Sequence, residues 1–455
     1  MSGYPSGGGV VAAQPSFAGF VARARAAGEL VVQPRMGFGR VADMRAGLAA
    51  TRAARARAAG TITLDSYTRV GDHASARRAV RDGADLNGFP LVAEGAATTR
   101  AMLAGLRGPE FPVQVRHGSA LPGEIFRTLV DAGVDATEGG PVSYCLPYSR
   151  VPLARSVDAW ARACELFAAR PDAAATPHLE SFGGCLLGQL CPPSLLVAMS
   201  VLEGLFFAEH GIRSVSLSYA QQTNPAQDAE AIGALRRLAA ELLGDLDWHV
   251  VLYTYMGVYP RTRAGAASLL ADSARLAVHA GAERLIVKTV AEAHRIPTVT
   301  ENLHALELAA AVAAATTPGS GAAPDTGLYA EARSLVLACL ELAPDTGRAL
   351  LRAFERGYLD VPFCLHADNA GRARSAIADD GRLCWTAAGS LPIRVDRRPG
   401  AAETITSAGL VRMLSFVQRR YDQPHELGGR RGLAPAAGAG RSPARLLTAG
   451  QAGRV

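Results

Sequence analysis

The stretch "SVSLSYAQQTNPAQDAEAIGALRRLAAELLGDLDWHVVLYTY" (residues 214–255) contains one complete strand, helix and strand. Its two ends, 214–220 and 248–255, are short apolar runs of the kind that form buried strands. Between them, apolar residues recur at helical spacing over 228–244, which predicts a helix. A strand, a helix and a second strand in this order form the unit from which parallel α/β sheets are built.

The same unit recurs along most of the chain. Helical patterns also occupy 194–211 and 263–281. Further strands are predicted at 30–37, 61–67, 111–118, 134–140, 178–184 and 284–289. Eight strands in about 260 residues favour a (β/α)8 barrel over an open sheet. The run at 86–92 is a possible ninth strand, which we place in the connection after the second strand. No GxGxxG or P-loop sequence is present, so a dinucleotide-binding or ATP-binding fold has no support.

The predicted fold class is therefore α/β, a (β/α)8 TIM barrel with a C-terminal α+β extension and a disordered basic tail. We assign residues 1–28 to a flexible leader and 29–324 to the barrel, which forms the catalytic domain. Residues 325–427 form the extension packed on the barrel, and residues 428–455 form the disordered tail, which is rich in Arg, Gly and Ala.

Composition excludes several classes of partner. The formal net charge is +6, but the tail 428–455 carries five arginines and no acid, so the body is close to neutral and a nucleic-acid partner is not expected. Seven cysteines without CxxC pairs predict reduced thiols, no metal site and a cytoplasmic location. No apolar run reaches transmembrane length and the N-terminus does not resemble a signal peptide, so no membrane association is expected.

Long polar side chains stand at the end of every predicted strand. In a barrel, the carboxyl ends of the strands ring the mouth where chemistry takes place. Polar residues also mark ordinary strand ends, so one such residue alone would indicate little. Eight ends with this property predict a site, and its candidate residues are Arg35, Arg69, Arg116, Glu138, Glu180, Tyr219, Tyr253 with Tyr255, and Lys288.

The residue types at these ends favour an amino dicarboxylic acid as ligand. Three arginines on the first three strands can grip two carboxylates with paired hydrogen bonds. Phosphate is the competing ligand, but barrels usually bind phosphate through backbone N–H groups after the last strands. Glu138 and Glu180 can receive an ammonium group. Tyr144 and Tyr148 can donate hydrogen bonds into the mouth or pack as part of a lid.

Two further residues near the predicted mouth have open roles. Lys288 directly follows a strand and precedes Glu292 by four residues, so the two can form a surface ion pair. Lys288 can alternatively bind an anion or a sugar hydroxyl, or form a Schiff base. His117 can act as a general base, although the absence of a second histidine or cysteine at metal spacing favours a structural or hydrogen-bonding role.

Nine motifs in chain order resemble the large epsilon (E) chain of glutamate mutase, also called methylaspartate mutase. The likeness covers about residues 30 to 400. The motifs are "QPRMGFG", "TITLDSYTR", "QVRHGS", "ATEGGPVSYCLPYSR", "FGGCLLGQLCPPSLL", "SLSYAQQTNPAQD", "YTYMGVYP", "IVKTVAEAHRIPT" and "DVPFCLHADNAG". The resemblance implies a (β/α)8 barrel and an adenosylcobalamin-dependent isomerase. Its reaction is the radical interconversion of L-glutamate and (2S,3S)-3-methylaspartate.

The resemblance also implies roles for individual residues. Arg116 and Glu138 are implied catalytic residues, and Glu138 meets the substrate ammonium. The substrate-binding residues implied by the resemblance are Arg35, Arg69, Arg116, Glu138, Tyr144 and Tyr148. The cofactor-binding residues are Lys288, Glu292, Gly37, the turn at Asn87 to Phe89, Tyr255 and Asn369. No residue of this chain is implied as a metal ligand.

This chain departs from the family pattern at two places. The family has His-Gln-Trp before its Met-Gly turn, where this chain has Tyr253-Thr254-Tyr255. The family's Tyr-Asn-Ala-Gly-Lys corresponds to Asp368 through Arg372. Both segments are expected on the cofactor side, so the departures concern cofactor contacts more than the substrate.

A missing motif implies a partner. Related cobalamin enzymes supply the axial cobalt ligand from an Asp-x-His-x-x-Gly motif, and none of the ten histidines here stands in that context. The resemblance therefore implies a small sigma (S) cobalamin-binding subunit that supplies the ligand. It also implies a homodimer of this chain within a heterotetramer.

Three other functions remain open from the sequence. The first is a sister cobalamin-dependent mutase for a related amino dicarboxylate. The second is a non-catalytic regulatory subunit that binds an amino dicarboxylate. The third is a Schiff-base aldolase that uses Lys288.

Overall fold

A computed structural model describes residues 16–170, 176–185, 190–319, 324–394 and 405–423. All eight predicted barrel strands are present. Their bounds are β1 Val31–Pro34, β2 Gly60–Thr63, β3 Val113–Arg116, β4 Ala136–Gly139, β5 His178–Ser181, β6 Ser214–Ala220, β7 Asp247–Tyr253 and β8 Arg284–Val287. The predicted disordered tail, 428–455, lies outside the described residues.

The eight strands form one parallel sheet that curves into a barrel. Each strand pairs with its neighbours in chain order from β2 through β8, and β8 pairs with β1. A parallel bridge between Val32 and Ala58 joins the two edge strands, with the Val32 N–H donating to the Arg57 carbonyl at 2.9 Å. The predicted (β/α)8 class is thus confirmed.

Helices connect the strands and cover the outside of the barrel. Their bounds are α1 Phe17–Ala26, α2 Val41–Ala53, α3 Ser66–Val70, α4 His73–Arg81, α5 Leu91–Leu103, α6 Gly123–Ala132, α7 Leu153–Ala168, α8 Pro193–Glu209, α9 Pro225–Leu242, α10 Arg263–Ala280 and α11 Val299–Ala314. The run at 86–92 is not a strand; Phe89 makes only an isolated bridge to Leu64 within the connection after β2. No described helix is both long enough and apolar enough to cross a membrane.

The C-terminal extension combines helices with a small antiparallel sheet, as predicted. It contains α12 Leu328–Leu340, α13 Thr346–Arg356, β9 Arg374–Ile377, β10 Leu383–Ala387, α14 Ser407–Leu414 and α15 Phe416–Asp422. Helices α12 and α13 pack on the outer side of α8. This covering explains why α8 is apolar and buried around nearly its whole circumference, because both of its sides face protein.

Part of the segment predicted to be a flexible leader is ordered as α1. Its apolar face, including Phe17, Phe20 and Val21, is buried. The Phe17 ring stacks on His178 at a centroid distance of 4.8 Å and lies 4.9 Å from the Arg284 guanidinium carbon. Both partners belong to the amino-terminal ends of barrel strands, so α1 closes the end of the barrel opposite the mouth.

Candidate active site

A cavity of about 310 Å³ opens at the carboxyl ends of the barrel strands. It is lined by all six predicted substrate-binding residues, namely Arg35, Arg69, Arg116, Glu138, Tyr144 and Tyr148. The remaining lining residues are Thr63, Ser66, Val70, His117, Gly118, Phe182 and Met256. Six separate strand-to-helix connections contribute, so the barrel brings together side chains that are far apart in the sequence.

Arg69 reaches this cavity by a different route from the one predicted. The strand predicted at 61–67 ends at Thr63, because the Asp65 carboxylate caps a short helix by accepting the N–H groups of Tyr67 and Thr68 at 2.9 and 3.1 Å. Arg69 therefore lies on α3, which stands over the mouth, and its side chain is exposed.

Arg116 and Glu138 form a buried ion pair on the cavity floor. The Arg116 Nε donates to Glu138 Oε2 at 2.8 Å, and the two side chains are only 6% and 2% exposed. Tyr144 donates to Glu138 Oε1, and the Tyr253 hydroxyl lies 2.8 Å from Oε2. A carboxylate offers about four acceptor positions. These neighbours occupy at most three, so at least one position, on Oε1, is open to a ligand.

Arg116 also offers an unused donor. Its Nη1 is buried and has no hydrogen-bond partner among the described residues. A buried guanidinium N–H without an acceptor costs free energy, so this group is suited to bind an anionic oxygen that enters the cavity. The cavity floor thus has one free cationic donor beside one free anionic acceptor.

The glycine pair after Glu138 allows the chain to turn closely over the cavity. Gly139 has φ of 139°, and an added Cβ would lie 2.3 Å from the Trp160 ring. A Cβ on Gly140 would lie 2.0 Å from Glu203 Oε1. The buried Glu203 carboxylate holds this turn by accepting the N–H groups of Val142 and Ser143 at 3.2 and 2.8 Å. Tyr144 follows directly and is thereby aimed at Glu138.

Tyr144 and Tyr148 differ in their surroundings. Tyr144 is 2% exposed, and burial together with the Glu138 carboxylate raises the pKa of its phenol well above the ordinary value. It therefore keeps its hydrogen and acts as a donor. Tyr148 is 53% exposed and packs edge-on against Tyr144 at 6.0 Å. It forms part of the cavity rim.

Lys288 and Arg35 share one carboxylate at the cavity edge. Glu292 Oε2 lies 3.7 Å from both Lys288 Nζ and Arg35 Nη1. The Lys288 side chain is 6% exposed and lies 4.9 Å from the centre of the Tyr259 ring. Burial lowers the pKa of Lys288 to about 8, against the opposing attraction of Glu292. The predicted pair of Lys288 and Glu292 is therefore buried and extended by Arg35.

His117 is a neutral, packed side chain. Burial and the nearby Arg69 lower the pKa of His117 to about 3. Its Nδ1 accepts the Ser119 N–H at 3.1 Å, and its ring stacks on Trp160 at 5.6 Å. These contacts correspond to the structural alternative offered by the sequence.

A broad groove adjoins the cavity. Its volume is about 940 Å³, and it shares Arg69, Val70, Gly118 and Tyr148 with the cavity. Its far side is formed by the loop 363–367, on which Leu365 is 96% exposed. The described residues contain no group of three or more His, Cys, Asp or Glu side chains placed to hold a metal ion.

Comparisons with known proteins place this architecture in one family. The family model "Methylaspartate mutase E chain (MutE)" matches residues 11–411. The chain belongs to the methylaspartate mutase E-chain family. The glutamate mutase epsilon subunit of Halobacterium salinarum is 34% identical over 334 residues, which cover 70% of this chain and 69% of that protein. The epsilon subunit of Desulfitobacterium hafniense is 31% identical over 365 residues, which cover 76% of this chain and 75% of that protein.

The likeness to solved structures is weak by comparison. N-acetylneuraminate lyase of Proteus mirabilis aligns over 87% of this chain and 98% of its own with a TM-score of 0.30 and 10% identity, which supports no inference. The family match identifies the chain as a subunit of a mutase, an isomerase of the glutamate mutase type.

Some residues predicted for the mutase site lie elsewhere. Tyr219 faces away from the barrel interior and donates to Asp228 of α9 at 2.9 Å, so its predicted place at the mouth is wrong. The reason is strand alternation: Ser216 on β6 faces inward, which turns the next odd-numbered positions outward. Tyr255 is fully buried in a separate cluster with Tyr259 and Val417.

The other predicted cofactor residues hold loops near the cavity. Asn369 is 9% exposed and binds the backbone of Val361 through both its amide atoms at 2.8 and 3.0 Å, which shapes the groove loop. Gly37 lies so close to β2 that a Cβ would be 2.3 Å from the Thr63 carbonyl. In the turn at Asn87 to Phe89, exposed Asn87 accepts the Ser66 N–H at 3.0 Å.

Met256 and Arg284 were not predicted as residues of the cavity region. Met256 lines the cavity, and Arg284 lies fully buried inside the barrel, where it pairs with Glu180. Arg284 begins the strand "RLIVKT", and a charged residue at the start of an apolar run reads as a solvated strand end. The signal that could have found it is the presence of polar residues, namely Gln33, Gln114 and Glu180, within other predicted strands.

Proposed function

We propose that this mutase subunit is the catalytic large subunit of an adenosylcobalamin-dependent enzyme that interconverts L-glutamate and (2S,3S)-3-methylaspartate by a radical carbon-skeleton rearrangement. The observation that carries the proposal is the pairing on the cavity floor. Arg116 has a buried donor without an acceptor, and Glu138 beside it has one open acceptor position. An amino acid with a carboxylate next to its ammonium group satisfies both.

The charge of the cavity supports a second ligand carboxylate. Arg35, Arg69 and Arg116 line it against the single carboxylate of Glu138. The volume of about 310 Å³ lies at the lower end of the range for small-molecule pockets. A second carboxylate would meet Arg35 or Arg69, which fixes a four- or five-carbon diacid at both ends.

The chain's own residues would orient the substrate and exclude water. Arg116 and Glu138 would hold the amino acid end against a rigid floor, because both are buried and bonded to neighbours. Tyr144 would keep the Glu138 carboxylate in place, and Tyr148 on the rim would close over the ligand. Holding a reactant at its charged ends in a closed cavity is what a rearrangement without strong acid or base catalysis requires.

The residues beside the cavity fit adenosylcobalamin. The open groove of about 940 Å³ meets the cavity at four shared residues, so a large cofactor in the groove would lie against the substrate. Lys288 and Glu292 at the cavity edge would bind the hydroxyl groups of the adenosyl ribose. When bound, the cofactor supplies a carbon-centred radical by homolysis of its cobalt–carbon bond.

A partner subunit would complete the enzyme. Because no histidine of this chain lies in an Asp-x-His-x-x-Gly motif, we assign the axial cobalt ligand to a small sigma (S) cobalamin-binding subunit. Two copies of this chain would assemble with two copies of that subunit in a cytoplasmic heterotetramer. The name "epsilon subunit" carried by the curated relatives supports a multi-subunit enzyme.

Reconstitution tests this function. The chain, the small cobalamin-binding subunit and adenosylcobalamin are combined, and conversion of L-glutamate to 3-methylaspartate is followed. We expect turnover from the complete mixture and none from the chain with cofactor alone. Turnover of a different amino dicarboxylate in place of glutamate would indicate a sister mutase. Ligand binding without turnover of any diacid would indicate a regulatory subunit, and trapping of substrate on Lys288 by borohydride would indicate an aldolase.

A further inference from the structure

A second ion pair lies below the cavity floor and is connected to it by one phenol. Arg284 Nη2 pairs with Glu180 Oε2, and both side chains are fully buried. The Tyr253 hydroxyl contacts Glu180 Oε1 on one side and lies 2.8 Å from Glu138 Oε2 on the other. Tyr253 is itself fully buried and does not line the cavity. Its hydroxyl therefore reaches Glu138 from the side that faces away from the cavity.

The lower pair is a rigid anchor. Glu180 Oε2 also accepts from Gln114 Nε2 at 3.2 Å and Ser216 Oγ at 3.1 Å. Arg284 donates to Ser216 Oγ at 2.9 Å and contacts the amide oxygens of Gln33 and Gln114. Burial acts to raise the pKa of Glu180, but Arg284 and Tyr253 outweigh it and lower the pKa. The anchor is thus a charged carboxylate with fixed neighbours from four strands.

The phenol between the two carboxylates has only one hydrogen to donate. Its oxygen lies within hydrogen-bond distance of both Glu138 and Glu180, so the phenol links the two carboxylates whichever of them it donates to. The Tyr253 ring also lies 5.0 Å from the Arg116 guanidinium carbon, so Tyr253 contacts both members of the Arg116–Glu138 pair.

We propose that Tyr253 is a positioning residue, which ties Glu138 to the Glu180–Arg284 anchor and keeps it oriented for the substrate ammonium. This inference rests on the proposed function. It assigns Tyr253 no contact with the substrate, and it concerns a position at which this chain departs from the family pattern.

The test compares two matched tyrosine variants. Tyr253→Phe removes the hydroxyl and keeps the ring. Tyr219→Phe is the control, because Tyr219 is equally buried and its hydroxyl also donates to a carboxylate, Asp228, but on the outer side of the barrel wall. Both variants are assayed as the complex with the small cobalamin-binding subunit and adenosylcobalamin, and both are melted thermally.

One result is expected from Tyr253→Phe. The kcat falls at least about tenfold while KM for L-glutamate changes less than about threefold, because orientation is lost more than binding. A loss of stability would instead appear in the melting temperature, which should stay close to that of the wild type.

The control separates positioning from general stability. Tyr219→Phe should keep the wild-type kcat and KM at a comparable melting temperature. A wild-type kcat and KM in Tyr253→Phe would overturn the inference alone. Equal losses in both variants would overturn it too, since they would reflect stability. A wild-type complex that turns over no amino dicarboxylate would overturn the proposed function, and the inference with it.

Discussion

Arg116 and Glu138 are neighbours on adjacent parallel strands, and their side chains meet at 2.8 Å on the cavity side of the barrel wall. The register places Val115 opposite Thr137, so the next residue on each strand points inward at the same height. One strand pair therefore presents a cation and an anion side by side. This arrangement is complementary to the carboxylate and ammonium of an α-amino acid.

Replacing Arg116 by lysine should impair catalysis without unfolding the protein. Lysine keeps the charge but cannot bond Glu138 and a ligand oxygen at once from a planar group. A buried charge-assisted hydrogen bond contributes roughly 1.5–3 kcal/mol, so kcat/KM should fall at least about tenfold. Arg107→Lys is the control, because Arg107 pairs with Asp135 at 3.2 Å outside the cavity. Wild-type kinetics in Arg116→Lys would remove Arg116 from the site.

Lys288→Met should stabilise the protein near neutral pH. The pKa of Lys288 falls from 10.5 to about 8 on folding because burial penalises the ammonium. Below about pH 8 the lysine is charged in the folded and unfolded states, and the cost of burial is fully present. Between about pH 8 and 10.5 only the unfolded state stays charged, so wild-type stability rises with pH.

Denaturant unfolding of both proteins at about pH 7 and pH 10 measures this effect. Lys288→Met should be more stable at the lower pH by up to about 3 kcal/mol, and the difference should shrink at the higher pH. The same titration predicts that turnover falls as the pH rises through about 8, if the charged lysine holds the cofactor. A stability difference that is independent of pH would show that Lys288 titrates normally.

Gly139→Ala should destabilise the fold. The added Cβ would lie 2.3 Å from Trp160, in a backbone conformation with φ of 139° that other residues rarely adopt. Overpacking of this kind costs about 1–3 kcal/mol. Gly233→Ala is the control, because nothing lies within 4 Å of its Cβ position and alanine is favoured in a helix by about 1 kcal/mol. Thermal melts should move in opposite directions for the two variants.

The sequence was sufficient for the barrel and for the charged residues at its strand ends that line the cavity, because each depends on local pattern. Strand and helix periods identify the eight units, and the residues just after each strand must gather at one end of a barrel. Arg35, Arg116 and Glu138 follow from this rule alone.

Other features depend on which way a side chain points or on packing between distant segments. Tyr219 was placed on the wrong side of the wall because the sequence does not define where alternation starts along a strand. Arg284 looked like a solvated strand end because its partner, Glu180, is 104 residues away. Helix α1 was missed since its apolar face has a partner only once the barrel has closed.

Asp422 should contribute to stability through the C-terminal helix. Its carboxylate accepts the N–H groups of Arg261 and Thr262 at 2.8 and 2.9 Å, which ties α15 to the start of α10. These hydrogen bonds lower the pKa of Asp422 against the opposing effect of partial burial. The contribution is present above the unfolded pKa of about 3.8 and disappears as the pH falls through the lower folded value.

Asp422→Ala should therefore lower the free energy of unfolding by about 1 kcal/mol at neutral pH. Asp379→Ala, at an exposed position of the extension, is the control and should change stability less. Equal melting temperatures for wild type and Asp422→Ala would show that α15 docks without this carboxylate.

Glu138→Gln is the variant that tests the cavity floor most directly. Glutamine has the same shape, but its NH2 group would face a donor wherever it is placed, since Arg116, Tyr144 and Tyr253 all approach the carboxylate. The ligand ammonium would also lose its counter-charge among three arginines. A displacement of about 1 Å costs roughly a hundredfold in rate when catalysis depends on orientation. We expect turnover to fall by about that factor, while folding and binding of the cobalamin subunit are retained.

The control for Glu138→Gln is Glu241→Gln on the outer surface. Glu241 also receives an arginine Nε and a tyrosine hydroxyl, from Arg333 at 2.8 Å and Tyr329 at 2.7 Å, but it lies far from the cavity lining. Its replacement should leave turnover unchanged.

A second experiment compares glutamate with the diacid that lacks its amino group. Wild type should bind this diacid more weakly than glutamate, because Glu138 is left without an ammonium and repels the added negative charge. Glu138→Gln should reduce that preference, because its neutral amide no longer distinguishes the two ligands by charge. If Glu138→Gln keeps full turnover and the wild-type preference, then the carboxylate serves only to pair Arg116, and the ammonium binds elsewhere.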